Sequence, residues 1–281
     1  MLRNYDAEAT ILVLEGDSDA HTLKHCLARD VVKLVIANGK KEVIEAVEFS
    51  DEQSLSGVLG VVDADFVDLV EERSSSANVF YTDLYDLDAM VFFAGTPIDR
   101  CIEAFGKYSD LKEESDGRES LSSEVRESAV AMAAQVGFFR MYSMQGGHHM
   151  TLDRFPFETI FSGSDYEVDV RTLKDVLPRK CTGIAICESD VDEWIDRSSN
   201  EAIPVARVSQ GHDLFKCISY VAKNKWGIAV KAETWEGVAR SHWNMRLLSE
   251  TSLFSQVSAW VQTFGYSVWR ADGHTGSDIS S

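Results

Sequence analysis

The 281-residue sequence lacks any apolar run of about 18 residues, the length that a helix needs to cross a membrane. It also lacks an opening segment in which basic residues precede an apolar stretch, the pattern typical of a secretory leader. We therefore expect a cytoplasmic protein that makes no membrane contact.

Paired cysteines are missing as well. The chain has five, an odd number without any CxxC pair: Cys26, Cys101, Cys181, Cys187 and Cys217. This scattering argues against a disulfide framework and against a zinc knuckle. The one close histidine pair, His148 and His149, has no partners at zinc-ligand spacing, so we expect a solvated loop there.

Basic residues are scarce relative to acidic ones. The chain has 27 Lys and Arg against 46 Asp and Glu, which gives a net charge of −19. Such a charge repels nucleic acid unless cations or a local basic surface intervene, and it suits a basic protein partner equally well. Part of the excess lies in the polar stretch Asp110–Glu127, which we expect to be exposed.

Short β-branched runs alternate with helical patterns over the first hundred residues. Strands are predicted at 11–14, 31–36, 57–62 and 79–82, with helices at 19–28 and from about residue 40 between the first three strands. This alternation is typical of βαβ units. The predicted fold class is α/β, with a parallel sheet flanked by helices.

The pattern changes after Pro97. Helices are predicted at 98–107 and 125–142 around a polar segment at 109–123, and the chain then mixes short strands with helices. We divide it into a core (1–96), a helical hinge or insertion (97–150), a C-terminal α+β region (151–270) and a disordered tail (271–281). Four tryptophans at helical spacing predict core packing more than stacking on bases: Trp235, Trp243, Trp260 and Trp269.

Carboxylates follow two of the predicted strands. Glu15 comes directly after the first strand, before Gly16, and Asp63 and Asp65 follow the third. If the chain stays extended through Ala64, the two aspartates point to the same side. Acids gathered at neighbouring strand ends repel one another unless a hard cation neutralises them, and Mg²⁺ (or Mn²⁺) takes such oxygen ligands. We therefore predict a metal site at Glu15, Asp63 and Asp65.

These motifs carry a resemblance. Residues 14–19 (LEGDSD), 38–40 (NGK), 62–66 (VDADF) and 82–86 (TDLYD) resemble a TOPRIM domain over residues 8 to 95. More closely they resemble the family of unknown-function proteins that includes AriB, the TOPRIM effector of the PARIS anti-phage system. Residues 211–214 (GHDL) also resemble a motif of that family.

The resemblance implies a fold, a reaction and partners. TOPRIM domains occur in topoisomerases, primases and overcoming-lysogenization-defect nucleases, and their motifs imply an acid or base at Glu15 and a metal-binding pair at Asp63 and Asp65. The family implies a nuclease effector that an ABC-type ATPase holds and releases when it senses phage products. The released effector is expected to dimerise and to cleave host transfer RNA, with DNA as the other nucleic acid substrate considered.

Several nearby residues have two readings each. Lys40 either contacts substrate phosphate, as a catalytic residue, or pairs with Glu42 or Glu45. His212 is a candidate catalytic residue that orients a phosphate or water. We expect helix caps at Asp19 and Asp213. The remaining acids, Asp68, Asp83 and Asp86, either extend the acidic edge or lie at the surface.

Three functions compete at this point. The first is a Mg²⁺-dependent nuclease, which the acids at 15, 63 and 65 favour. The second is a catalytically weak TOPRIM-fold subunit that regulates an ATPase complex, which the charge of −19 favours. A receiver-like phosphoacceptor domain is weaker, because Glu15 stands where such a domain has an acidic pair and because no lysine follows a fifth strand.

Overall fold

The computed structural model describes residues 9–106, 118–152, 155–162 and 166–270, which group into two compact units. The first unit draws its described residues from 9–64, 73–83 and 240–270, and the second from 65–72 and from 84–239. Both units therefore combine separated stretches of chain, whereas the predicted segments run consecutively. The predicted tail (271–281) and residues 109–117 of the predicted polar segment lie outside the described residues.

The first unit contains a four-stranded sheet in which all strands are parallel. The strands are β1 (Thr10–Leu14), β2 (Val32–Ile36), β3 (Val58–Val62) and β4 (Val79–Tyr81), in the spatial order β2-β1-β3-β4. β1 and β3 are buried along their whole length, as continuous apolar runs in a parallel sheet should be, while β2 is a partly exposed edge. The predicted α/β class with a parallel sheet is confirmed.

Two helices connect the first three strands. Helix α1 (Asp17–Leu23) packs on β1 and β2, and helix α2 (Lys40–Glu52) packs on β1 and β3. Because parallel crossovers are right-handed and these two run in opposite directions along the sheet, the helices cover opposite faces. The chain runs from β1 to β2 on one side of β1, and then from β2 past β1 to β3 on the other side. The strand order therefore reverses between β1 and β3.

The second unit is mostly helical. Its elements are α3 (Leu87–Phe93), α4 (Thr96–Phe105), α5 (Arg118–Gln145), α6 (Phe157–Ile160), β5 (Phe161–Ser162), β6 (Glu167–Val168), α7 (Val170–Val176), α8 (Glu188–Asn200), α9 (Gly211–Trp226) and most of α10 (Ala232–Ser241). β5 and β6 form an antiparallel pair. Helix α9 packs along α5 and α3, and it buries Leu214, Ile218 and Val221 at helical spacing. It is the central helix of this unit.

The C-terminal segment returns to the first unit, where α11 (Met245–Ser249) and α12 (Ser252–Phe264) lie. The Ala28 amide donates to the Val268 carbonyl (2.9 Å), and the Arg270 amide donates to the Cys26 carbonyl (2.8 Å). This pairing explains why α1 ends at Leu23, short of the predicted end at residue 28. Among the described residues, no helix combines the length and the apolar character that membrane crossing requires.

Candidate active site

The carboxyl ends of β1 and β3 bring two of the predicted site residues together. The Asp63 amide donates a hydrogen bond of 2.7 Å to Oε1 of Glu15, across 48 residues of sequence. Both residues are half-buried. In open parallel sheets, ligands bind outside the carboxyl ends of the strands, at the point where the strand order reverses. Glu15 and Asp63 stand at that point, so their geometry is that of a ligand-binding edge.

The exit of β2 completes this edge. The Gly39 amide donates to the Glu15 carbonyl (3.0 Å), and Gly39 has a φ of +133°, a conformation that residues with a side chain rarely adopt. Helix α2 then begins at Lys40. The Lys40 Nζ lies 5.9 Å from the ring centroid of Tyr81, the last residue of β4. The structure therefore places Lys40 on the same strand-end edge as Glu15 and Asp63.

Arg73 is a second cation at this ring, and the sequence pattern did not single it out. Its guanidinium carbon lies 4.9 Å from the Tyr81 ring centroid. β4 pairs with β3 so that Tyr81 stands opposite Val62, the residue before Asp63. A single arginine in a polar segment belongs to no periodic pattern, so the sequence does not mark Arg73. The scarcity of basic residues was the only sequence signal that could have drawn attention to it.

The expectation for Asp65 was wrong in its local geometry. The chain does not stay extended through Ala64: Asp65 has a φ of +46°, and its amide donates to the Tyr85 carbonyl (2.8 Å). A left-handed residue after the strand ends the two-residue alternation that would have aligned Asp63 with Asp65. Asp65 also belongs to the second unit, whereas Glu15, Lys40 and Asp63 belong to the first.

The donor atoms at this edge suit a hard cation. Among the residues that the structure describes, no three His, Cys, Asp or Glu side chains form a ready-made metal cluster. Mg²⁺ keeps several waters and is commonly held by one or two carboxylates together with substrate phosphate. The Asp63 amide engages one oxygen of Glu15, and the half-buried carboxylates of Glu15 and Asp63 are oxygen donors of the required kind. The chemistry of the donor set therefore fits Mg²⁺.

Two other acids near the strand ends stabilise helices. Asp19 is not an N-cap, because α1 begins two residues earlier; its Oδ2 instead accepts from the Gly16 amide (2.9 Å). The carboxylate of Asp83 accepts from the amides of Ser252 and Leu253 at the start of α12 (2.6 and 2.7 Å). Asp83 thus satisfies a helix terminus and does not extend an acidic edge.

Two further acids belong to the second unit. Asp68 lies in an exposed turn with a φ of +67°. Asp86 is buried, and it accepts from the Ala89 amide at the start of α3 (2.6 Å) and from the Gly211 amide (2.9 Å). Burial raises the pKa of Asp86 to about 8, the Asp88 carboxylate adds to this shift, and the two amides oppose it. Asp86 is therefore neither a surface residue nor part of an open acidic edge.

The GHDL motif at 211–214 forms the contacts that fix α9. A Cβ at Gly211 would lie 2.2 Å from Cβ of Asp88, so only glycine permits this approach. Asp213 is not a helix cap: it is buried and pairs with Arg140, with the Lys216 Nζ at 3.7 Å. Leu214 is buried in the core. Three of the four residues thus have packing or ion-pair roles.

His212 pairs with Glu236. Its Nδ1 lies 2.5 Å from Oε1 of Glu236, and because a carboxylate only accepts, Nδ1 carries the proton. This hydrogen bond raises the pKa of His212, and partial burial opposes the rise. His212 belongs to the second unit, so it is not among the residues gathered at the sheet edge of the first. A catalytic role for His212 stays a prediction.

Comparison with known proteins adds no family assignment. A scan against protein-family models finds no match to this chain, and a search of curated proteins finds none either. The resemblance to TOPRIM domains therefore rests on the motifs themselves.

Proposed function

We propose that the chain is a Mg²⁺-dependent TOPRIM-like nuclease that hydrolyses phosphodiester bonds at the carboxyl edge of its parallel sheet. The observation that supports this most is the contact between Glu15 Oε1 and the Asp63 amide at 2.7 Å. It joins the ends of β1 and β3, where the strand order reverses. Ligands bind at such points in α/β sheets because no helix blocks the opening there.

Each residue of the edge has a role in the proposal. Glu15 and Asp63 would hold Mg²⁺ or Mn²⁺, which when bound would supply positive charge to the reacting phosphate group. A ligand role for Asp65 stays a prediction from the sequence. Glu15 also exchanges a proton with the attacking water or the leaving oxygen. The hydrogen bond from the Asp63 amide fixes one oxygen of Glu15, so the other oxygen keeps a defined direction for the proton transfer. Lys40 contacts a phosphate oxygen.

The biological setting in the proposal comes from the resemblance. On that basis the protein is an effector of an anti-phage defence system, held and released by an ABC-type ATPase, active as a homodimer, and directed at host transfer RNA or at DNA. His212 enters as a further catalytic candidate because the 211–214 motif is shared with the same family.

A regulatory subunit is the second candidate, and the net charge of −19 is the observation that favours it. A protein of this charge associates readily with a basic partner surface and poorly with nucleic acid. In that case the edge acids would not support cleavage under any conditions.

A cleavage assay separates the two. The purified chain is incubated with transfer RNA or duplex DNA in Mg²⁺, Mn²⁺ or EDTA, beside Glu15→Gln, Asp63→Asn and the control Asp17→Asn. Asp17 is exposed and lies two residues beyond Glu15, at the start of α1, so it tests whether any acid that follows β1 has the same effect. We expect EDTA to abolish cleavage, and Glu15→Gln to slow it by about 100-fold or more, the usual contribution of a proton-transfer group. Asp17→Asn should cleave normally.

The same assay is repeated with the ATPase partner added. The proposal expects this partner to hold the effector silent until it is released. Cleavage that Glu15→Gln does not reduce would contradict the proposal. Absence of cleavage from every sample, with a stable complex to the ATPase, would instead support the regulatory subunit.

A further inference from the structure

The outer side of β2 is an open strand edge. Just after β2, the Ala37 amide donates to the Leu14 carbonyl of β1 (2.9 Å). Because neighbouring residues of a strand direct their polar groups to opposite sides, Leu34 and Ile36 direct theirs away from β1. No strand in the described part of the chain pairs with that side. Val31 and Leu34 are also 44% and 40% exposed, so both the backbone and the side chains of this edge are accessible.

An apolar groove runs beside this edge, on the face of the sheet that α2 covers. Helix α2 packs on β1 and β3, and a cavity of about 390 Å³ is lined by residues of α2 and of the strands. Ile11, Val13 and Val58 lie in its lining, together with Val35 of β2. Phe49 of α2 also lines the groove and is 53% exposed. Apolar surface of this kind next to an open strand edge marks a site where another chain binds.

The wall that α2 contributes is acidic at one end and apolar at the other. Its residues recur at helical spacing: Glu42, Glu45, Ala46 and Phe49. Because α2 follows β2 and leads back to the parallel β3, Glu42 lies toward the carboxyl edge of the sheet and Phe49 toward the amino edge. Glu45 and Phe49 are about 6 Å apart along the helix axis, close to the roughly 7 Å between alternate side chains of a strand. An extended segment in the groove therefore presents one side chain to each.

Charge decides which occupant suits the groove. Glu42 and Glu45 are exposed, and the ion pair of Glu45 with Lys41 (3.6 Å) is a surface pair that stabilises little. If two copies paired through β2, a twofold axis normal to the sheet would bring both acidic walls to the same face, and each copy carries a net charge of −19. A segment with basic side chains meets attraction where a second copy meets repulsion.

We propose that this groove binds an extended segment of a basic partner protein, which adds to β2 as a further strand of the sheet. Main-chain hydrogen bonds to Leu34 and Ile36 supply affinity, and alternate side chains supply specificity. On the groove face, the segment has an apolar side chain beside Phe49 and a lysine or arginine beside Glu45. The inference is independent of the proposed function, because none of these residues is a candidate catalytic or metal-binding residue.

Binding of model peptides tests this surface. The probe is a labelled peptide of about nine residues, the length of a strand, in which threonine alternates with valine in one half and with arginine in the other. Its matched control has glutamate in place of arginine. Fluorescence anisotropy at about 50 mM salt should show at least about tenfold tighter binding of the arginine peptide. The difference should shrink as added salt screens the charges.

Two variants with matched controls separate the groove from the general acidity of the chain. Phe49→Ser should weaken binding of the arginine peptide about tenfold, because less apolar surface is buried. Phe264→Ser should not, although Phe264 is equally exposed (53%) in the same unit. Glu45→Gln should weaken binding about threefold, and Glu250→Gln should not. These two glutamates are 62% and 65% exposed, and each pairs with a basic residue four positions earlier.

Amide hydrogen exchange locates the added strand. When the arginine peptide saturates the wild-type chain, exchange should slow at the Leu34 and Ile36 amides, because the peptide accepts hydrogen bonds from them. Exchange at the Val35 amide, which is directed toward β1, should stay the same. Attraction by charge alone would leave all three amides unchanged, and that result would overturn the inference.

The other outcomes are equally decisive. Equal weakening in Phe49→Ser and Phe264→Ser, or no binding of the arginine peptide by the wild-type chain, would overturn the inference. Self-association of the wild-type chain that Phe49→Ser abolishes and that excludes the peptide would overturn it in favour of a second copy. Phe49→Ser should keep the Mn²⁺ affinity of the wild-type chain. If no sample binds Mn²⁺ or cleaves nucleic acid, the nuclease proposal fails while specific peptide binding still supports the inference.

Discussion

Replacing Gly211 by alanine tests the reading of the 211–214 motif as a packing contact. The new Cβ would lie 2.2 Å from Cβ of Asp88, 2.6 Å from Oδ1 of Asp86 and 2.7 Å from the Ala89 nitrogen. Carbon atoms in contact normally stand about 3.5 to 4.0 Å apart, so α9 would have to move by more than about 1 Å. Two of these atoms, Cβ of Asp88 and the Ala89 nitrogen, belong to the first turn of α3 and cannot rotate aside.

The cost follows from two effects. Overpacking of a buried contact costs about 1 to 3 kcal/mol. The movement also lengthens the 2.9 Å bond from the Gly211 amide to the buried Asp86 carboxyl group, and a buried polar group left without its partner costs about 1 to 3 kcal/mol. Alanine recovers up to about 1 kcal/mol through its higher helix propensity. We expect Gly211→Ala to lower the free energy of unfolding by about 1 to 6 kcal/mol.

Gly237→Ala is the matched control. Gly237 lies in α10 of the same unit, and a Cβ there would meet nothing within 4 Å. The substitution should raise the free energy of unfolding by about 0.5 to 1 kcal/mol. Urea unfolding followed by tryptophan fluorescence and by circular dichroism measures both variants. A Gly211→Ala midpoint equal to or above that of the wild-type chain would refute the reasoning.

Three further predictions concern buried charges and caps. Arg140→Leu removes the ion-pair partner of the buried Asp213 carboxylate and leaves the Lys216 Nζ at 3.7 Å, so urea unfolding should show a loss of about 3 kcal/mol, largely recovered by adding Asp213→Asn. Because the folded pKa of Asp86 is raised to about 8, the folded state keeps a proton that the unfolded chain releases near pH 4. This contribution to stability is complete below about pH 4 and is lost as the pH rises to about 8. The free energy of unfolding should therefore fall with pH over that window, and it should fall less steeply in Asp86→Asn. An equal slope in Asp86→Asn and the wild-type chain would mean that Asp86 is already ionised at pH 5. Asp83→Ala removes the acceptor for two amides of α12 and should cost about 1 to 2 kcal/mol, measured by thermal unfolding, whereas an unchanged midpoint would show that water replaces it.

The sheet could be predicted from sequence because its signals are local. The runs at 11–14 and 57–62 are continuous apolar stretches, and a parallel sheet buries both faces of such strands. The meeting of Glu15 with Asp63 followed, because the carboxyl ends of parallel strands share one edge. The expectation for Asp65 failed because it assumed an extended chain, and the left-handed φ at this residue is a turn that the pattern does not encode.

The contacts that hold the rest of the chain are not local. Asp86 and Gly211 are 125 residues apart, so no periodicity connects them, although the 211–214 motif marks one end. The return of residues 268–270 to Cys26 and Ala28 shortens α1, and helix propensity gives no sign of it. Arg73 lies 4.9 Å from the centre of the Tyr81 ring, and no sequence pattern marks that contact.

Binding of Mn²⁺, followed by electron paramagnetic resonance, tests the central claim most directly, because it needs neither the proposed nucleic acid substrate nor the proposed ATPase partner. The samples are the wild-type chain, Glu15→Gln, Asp63→Asn and Asp17→Asn, each titrated with Mn²⁺. We predict saturable binding by the wild-type chain and by Asp17→Asn, with at least tenfold weaker binding in Asp63→Asn because one of the few carboxylate ligands is lost. Equal Mn²⁺ affinity in all four proteins would contradict the account.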